Sequence, residues 1–277
     1  MTFLSADAGK PQADIVIADV ADRVTAFAAG ELGAYLKRIS GADFRIIRQK
    51  DCPPHTVRLT PSGVGTGKFP RCRWENSLHD TFKLYSGTGG VSVSGSNGRS
   101  ALYGVYALLE TLGCCFAEPG VERVPETRYL EIPFMERAFE AAFALRNIFR
   151  IQIVSSKGDH FNGLEPEHHL PQIDWMAKQR LNHYVFYVDY YRYDLWEKYK
   201  HQILDALLDR GFEIEVTHHS ILYFCPPDEN CDFGDFGPTT YRDHHPDWYI
   251  PALRFGAEYN ARIELPEVRR IILDRYL

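Results

Sequence analysis

The chain has 277 residues, 45% of them apolar and 25% charged, a balance that places it among folded globular proteins and excludes collagenous, disordered and membrane-spanning classes. Its 31 Lys plus Arg against 37 Asp plus Glu leave a formal charge of -6, which supplies no general field for nucleic acid or an anionic membrane, so neither is expected as a partner. At ~100–200 residues per domain the length predicts two domains.

Residues 1–7 have neither a basic nor an apolar leader segment, and no run reaches the roughly 18 apolar residues of a membrane span. Nothing here directs export or insertion, and the six cysteines, none in a CxxC pair, leave the redox compartment open. Residues 14–18 read as a strand. Residues 25–39 follow as a helix with Ala28, Leu32, Tyr35, Leu36 and Ile39 on one stripe, stopped by Ser40-Gly41. Residues 44–47 and 57–60 are further short strands. The segment Gly63-Val64-Gly65-Thr66-Gly67-Lys68 invites a phosphate-loop reading but fails the pattern. Ser62 stands where the first glycine belongs, Phe69 where the magnesium-holding hydroxyl belongs, and Pro70 breaks the required helix, so a surface loop is expected. Residues 82–85 and 91–94 flank glycines at 87, 89 and 90 and predict a hairpin. A helix over 99–112 then carries Leu102, Val105, Leu109 and Leu112, with Gly113 as its C-cap. This order gives a small α+β domain over 1–130, followed by a connector over 131–142.

The rhythm changes beyond it. Residues 143–149 read as an apolar strand, 172–180 as a helix, and 184–188 as a strand buried on both faces. A helix over 195–209 turns Tyr199, Ile203, Leu204, Leu207 and Leu208 inward, Gly211 ends it, and residues 212–217 form a third strand. The last helix starts at Pro266 with Glu267 in its first turn and carries Val268, Ile271, Ile272 and Tyr276. Strand and helix alternation predicts parallel neighbouring strands with right-handed crossovers. A (β/α)8 TIM barrel takes ~250 residues, and about 135 lie between 143 and 277, so the expectation is its first three to four βα units, an apparently truncated barrel.

The stretch Asp80-Thr81-Phe82-Lys83-Leu84, then Val93 to Glu110 with Gly98-Arg99 and Tyr103-Gly104-Val105-Tyr106, then Leu112-Gly113-Cys114-Cys115-Phe116-Ala117-Glu118-Pro119 resembles a known domain. It is similar to the small α+β domain that precedes the catalytic barrel in bacterial alpha-glucuronidases, beta-hexosaminidases and their uncharacterised DUF4838-type relatives. Within it Gly104 is expected to let the helix approach the sheet, with Tyr103 and Tyr106 packing aromatic area. In the second half, Asp174 to His183, Glu215-Val216-Thr217-His218-His219-Ser220, His245-Pro246-Asp247-Trp248 and Leu265-Pro266-Glu267-Val268 resemble the barrel start of the same relatives. Leu265 departs from their usual Asn and Ala261 from their usual Cys.

The resemblance implies the N-terminal portion of a glycoside hydrolase acting on carbohydrate; a non-catalytic carbohydrate-binding or scaffold module is the alternative. Glycosidic cleavage generally uses two carboxyl groups flanking the bond. Asp189 and Glu215 lie near predicted strand ends, where barrels place acting residues. In the resembled enzymes, however, the proton donor comes from the fourth strand or later, so no catalytic acid or base is assigned here. Arg146, Asp189, His219 and Trp248 are the candidate substrate-binding residues. Arg146 has the planar five-donor fork that grips carboxylates and paired hydroxyls, with a structural ion pair as its competing role. Tyr190 and Tyr191 are further candidate aromatic platforms, as is Tyr187, which reads first as core. His218, His219, His244, His245, Cys225 and Cys231 do not make a persuasive zinc set, because adjacent histidines on a strand face opposite ways. No metal and no cofactor is expected.

Overall fold

The computed structural model describes residues 1–49, 56–61, 79–148, 166–186, 193–216, 244–249 and 261–276. In chain order the first part contains β1 (Thr2–Asp7), β2 (Lys10–Pro11), β3 (Asp14–Ile17), α1 (Arg23–Ser40), β4 (Ile46–Arg48), β5 (Thr56–Pro61), β6 (Thr81–Gly87), β7 (Gly90–Gly95) and α2 (Gly98–Thr111). Then come β8 (Cys115–Glu118), β9 (Val121–Arg123), β10 (Tyr129–Pro133) and β11 (Met135–Glu140). The later elements are α3 (Pro166–Lys178), β12 (His183–Phe186), α4 (Tyr193–Asp209), β13 (Glu213–Val216), a single 3-10 turn at Pro246–Trp248, and α5 (Pro266–Tyr276). The chain divides into two compact units. The first comprises Met1–Ile148, Leu170–His183 and Leu204–Glu213; the second comprises Phe149–His169, Tyr184–Ile203 and Ile214–Leu277.

In the first unit a six-stranded mixed sheet runs in the order β11-β6-β7-β5-β3-β4. The β11, β6 and β7 strands are antiparallel, whereas β7, β5, β3 and β4 are parallel. Each helix has a built-in start. Asp22 accepts from the Thr25 amide at 2.6 Å ahead of α1, and Asn97 accepts from the Ser100 amide at 2.7 Å ahead of α2. Gly41 ends α1 in the left-handed region at φ 75. The expected α1 stripe of Ala28, Leu32, Tyr35, Leu36 and Ile39 is buried throughout. Gly104 seats α2 on the sheet: a Cβ there would stand 2.4 Å from Val93 Cγ1 and 3.3 Å from Phe82 Cδ2, and Tyr103 and Tyr106 beside it are fully buried. The turn between β6 and β7 closes an antiparallel hairpin, as the glycine spacing predicts.

Two expectations are corrected. The stretch 131–142 is largely sheet: β10 pairs with β1, and β11 is the edge strand beside β6. Its acidic and basic residues occupy the exposed positions of those strands, which makes the segment read as a polar connector. Residues 143–148, expected as the first strand of a barrel, form no ladder. Asn182 Oδ1 takes the Arg146 amide at 2.8 Å, the Arg146 carbonyl receives the Asn182 and His183 amides at 3.0 and 3.2 Å, and Phe143 is 72% exposed. One bond to the Asn182 side chain and two from main-chain amides stand in place of a ladder. The 184–188 and 212–217 expectations do meet: β12 lies hydrogen-bonded beside β13. The helix expected over 172–180 starts earlier, running through Pro171, and the chain leaves it at Arg180 with φ 64.

In the second unit the described residues include a small cluster in which Tyr249, Ala261 and Val268 are buried, with Trp248, Leu265, Ile271 and Ile272 packed against it. The 62–70 loop lies outside the described residues.

Candidate functional site

The first unit has a fully buried carboxylate at its hub. Asp80, just ahead of β6, accepts from Asn97 Nδ2 at 3.0 Å, Ser100 Oγ at 3.0 Å, and Arg99 Nε at 3.1 and 3.2 Å with Nη2 at 3.1 Å. Arg146 Nη2 reaches it at 2.5 Å and Asn182 Nδ2 at 3.4 Å. Burial pushes such a carboxyl up, but the Arg99 charge and the hydrogen bonds from Arg99, Arg146 and Asn97 outweigh it, so Asp80 titrates below its ordinary range. Arg99 continues outward, donating through Nη1 to the Gly211 carbonyl at 2.7 Å and standing 3.6 Å from Glu213. The Tyr103 hydroxyl donates to the Leu181 carbonyl at 2.7 Å.

Arg146 belongs to this hub. Besides Asp80, its guanidinium donates to the carbonyls of Arg180 at 2.9 Å, Phe143 at 2.6 Å and Ala144 at 3.3 Å. This geometry is that of the structural ion pair. Trp248 lies in the second unit, where its indole stacks on the His245 ring at a centroid separation of 3.9 Å and 9° between planes. Asp189 and His219 lie outside the described residues, as do Tyr187, Tyr190, Tyr191, His218, Cys225 and Cys231. Asp80 itself was missed as a functional candidate, although it opens the motif that ends in Gly98-Arg99, and a carboxylate held ahead of an Asn-Gly-Arg helix start is a sequence-level signal for such a pair.

A second polar assembly surrounds an open cleft of about 320 Å³ between α1, the β8–β9 hairpin and α3. Glu122 is its centre, accepting from the Tyr35 hydroxyl at 2.5 Å, Arg38 at 2.5 Å and Lys178 at 3.0 Å. Burial raises the Glu122 carboxyl, yet these three donors outweigh it and bring its pKa down to about 2. Lys178 also pairs with Asp174, whose second oxygen holds Arg210 at 3.0 Å. Burial acts against the Lys178 ammonium, but its bonds to Asp174 and Tyr35 raise its pKa above the usual lysine range. Glu31 is different. Burial and the Asp174 charge raise its pKa, and Tyr106 donates to it at 3.0 Å. Trp175 donates its indole N–H to the Phe116 carbonyl at 3.3 Å, and Phe116 meets Tyr35 edge-on at 5.7 Å.

Among the described residues no group of His, Cys, Asp and Glu is arranged to hold a metal ion, and no helix is long and apolar enough to cross a membrane. Cys114 and Cys115 are free thiols, the former pushed up to about 11 chiefly by burial.

No protein-family model matches the chain, and no curated protein matches it in sequence. Solved structures of glycoside hydrolases share its fold. A family GH115 4-O-methyl-alpha-glucuronidase with specificity for decorated arabinogalactans aligns over 99% of this chain and 40% of its own, with 14% identity and a TM-score of 0.55. The Flavobacterium johnsoniae chitobiase aligns over 80% of this chain and 34% of its own, with 14% identity and a TM-score of 0.51. A Streptomyces plicatus beta-hexosaminidase variant in complex with GlcNAc aligns over 78% of this chain and 44% of its own, with 14% identity and a TM-score of 0.50. The chain thus spans less than half the length of each of these three proteins.

Proposed function

We propose that this chain is the N-terminal portion of a glycoside hydrolase acting on carbohydrate, with its main catalytic carboxylates outside these 277 residues. The supporting observation is the fold likeness to the glucuronidase, which extends over 99% of this chain but 40% of that protein. In this reading residues 1–130 are the α+β domain that precedes a catalytic barrel beginning near 143, and β12 and β13, with α4 between them in sequence, are among the barrel's early strands. Asp189 and His219, placed after predicted strands, contact substrate together with the Trp248 indole. Arg146 is a positioning residue, because four hydrogen bonds commit its guanidinium to Asp80 and to three backbone carbonyls. The DUF4838-type relatives belong to the same proposal.

General acid–base assistance contributes ~10²–10⁴-fold and requires positioned groups, not merely nearby carboxylates. The 277-residue polypeptide is therefore expected to hydrolyse nothing, while a product extended beyond Leu277 turns over glycosides. The test compares the two on aryl glucuronides, aryl hexosaminides and xylan-derived oligosaccharides, with a His219→Ala version of each as the control for contaminating enzymes. Turnover by the short chain that disappears in its His219→Ala version would overturn the assignment of catalysis to residues outside it.

A further inference from the structure

The cleft beside α1 has walls and a charge balance that the hydrolase reading does not use. It lies wholly in the first unit and stands whether or not any longer product is hydrolytic. Its volume of about 320 Å³ falls at the small end of the ~300–1,000 Å³ range of ligand pockets. Trp175, half-buried, is its open aromatic wall; the Tyr35 and Phe116 rings beneath are buried, with the Lys178 ammonium 5.1 and 5.0 Å from their centroids.

The charges decide what such a pocket receives. Four carboxylates line it, Glu31, Glu118, Glu122 and Asp174, against two cations, Arg38 and Lys178. Both cations are already committed, Arg38 to Glu122 and Lys178 to Glu122 and Asp174. An anion entering here meets excess negative charge and would have to break an existing pair to find a donor. Glu31 has the opposite character. Among the described residues the Tyr106 hydroxyl is its hydrogen-bond donor, which engages Oε2 and leaves Oε1 to accept from a ligand. A hydroxylated ring satisfies both features: its O–H groups donate to Glu31, and a C–H face covers the open part of the Trp175 indole.

We propose that the cleft between α1, the β8–β9 hairpin and α3 binds a neutral polyhydroxylated ligand of about one sugar ring, with Glu31 as hydroxyl acceptor and the half-buried Trp175 indole as its aromatic wall. The raised pKa of Glu31 supports the assignment, since a carboxyl kept partly desolvated gains more from a ligand donor than one already hydrated.

The experiment is saturation-transfer NMR and titration calorimetry on the 277-residue chain with glucose, xylose, N-acetylglucosamine and glucuronate. At least one of the three neutral sugars is expected to bind in the millimolar range, and glucuronate at least about tenfold more weakly. Ala34→Trp, at an exposed position on the α1 wall, fills the mouth without touching an ion pair and should abolish neutral-sugar binding. Val121→Trp does the same from the hairpin, where Val121 is half exposed, and serves if the first variant does not fold. Binding that survives in a folded blocking variant, glucuronate binding as tight as that of the best neutral sugar, or no binding by any neutral sugar would each overturn the proposal. Binding lost with His219→Ala but kept with Ala34→Trp would overturn it while leaving the hydrolase reading standing.

Discussion

Asp80 and Glu31 show how two carboxylates in one folded unit acquire opposite acid behaviour. Asp80 is removed from water but surrounded by donors, so its folded pKa lies below the unfolded value of about 3.9. Its contribution to stability is complete above that value and is lost as pH falls through the folded pKa. Glu122 behaves likewise, its contribution disappearing as pH drops from about 4.3 toward its folded pKa of about 2. Replacing Asp80 by Ala strands Arg99 and Arg146 in a buried site, and the expected loss is about 3–5 kcal/mol, read as a fall in the denaturant midpoint. Glu31 runs the other way: its folded pKa is raised, so its ionised form weakens the fold increasingly as pH rises through that pKa. Glu31→Gln, which retains an acceptor for Tyr106, should raise the melting temperature at pH 7 and leave it nearly unchanged at pH 4. A drop in stability at pH 7 would contradict that assignment. None of these opposed roles is written in the residue types; they depend on which helices bring donors to which carboxyl.

At the scale of the element, legibility followed locality. The two helices of the first unit, the glycine that ends α1 and the β6–β7 hairpin were readable because apolar period and glycine turn lie within one short window. Gly104 carries a sharp test. Ala at a helix interior normally gains ~0.8–1 kcal/mol over Gly, but here the added methyl meets Val93 at 2.4 Å, so Gly104→Ala is expected to destabilise by ~1–3 kcal/mol net of that gain. A neutral or stabilising result in thermal unfolding would show that α2 rides higher on the sheet. The strands that escaped the sequence reading are those with distant partners. β1 pairs with β10 far along the chain, Ala6 opposite Leu130 with the Ser5 hydroxyl donating to the Leu130 carbonyl, and β11 is an amphipathic edge whose polar face resembles a loop. Over 143–148 the expected strand does not form for a related reason: an apolar run announces burial, but Asn182, far along the chain, decides what its backbone bonds to. Of the four candidate binding residues, Arg146 was readable as chemically important but its partner was not, since Asp80 lies 66 residues away.

At the scale of the whole molecule, the glycoside hydrolase folds account for the architecture, and the charge arrangement in the cleft adds a binding surface independent of any barrel. The first unit is also discontinuous in sequence: Met1–Ile148 is completed by Leu170–His183 and Leu204–Glu213. The Asp80 hub ties the three segments together: Arg146 of the first and Asn182 of the second supply two of its donors, and the Gly211 carbonyl of the third accepts from Arg99. A fragment ending at residue 142 is therefore expected to unfold at markedly lower denaturant than the 277-residue chain, and a midpoint within error of the longer chain would refute the dependence. In heredity the consequence reaches further. A segment whose buried carboxylate and guanidinium find their remaining hydrogen-bond partners as far along as Gly211 is a poor cassette for recombination, so gene fusions that join this α+β layer to a foreign partner should survive only when the breakpoint falls beyond Glu213.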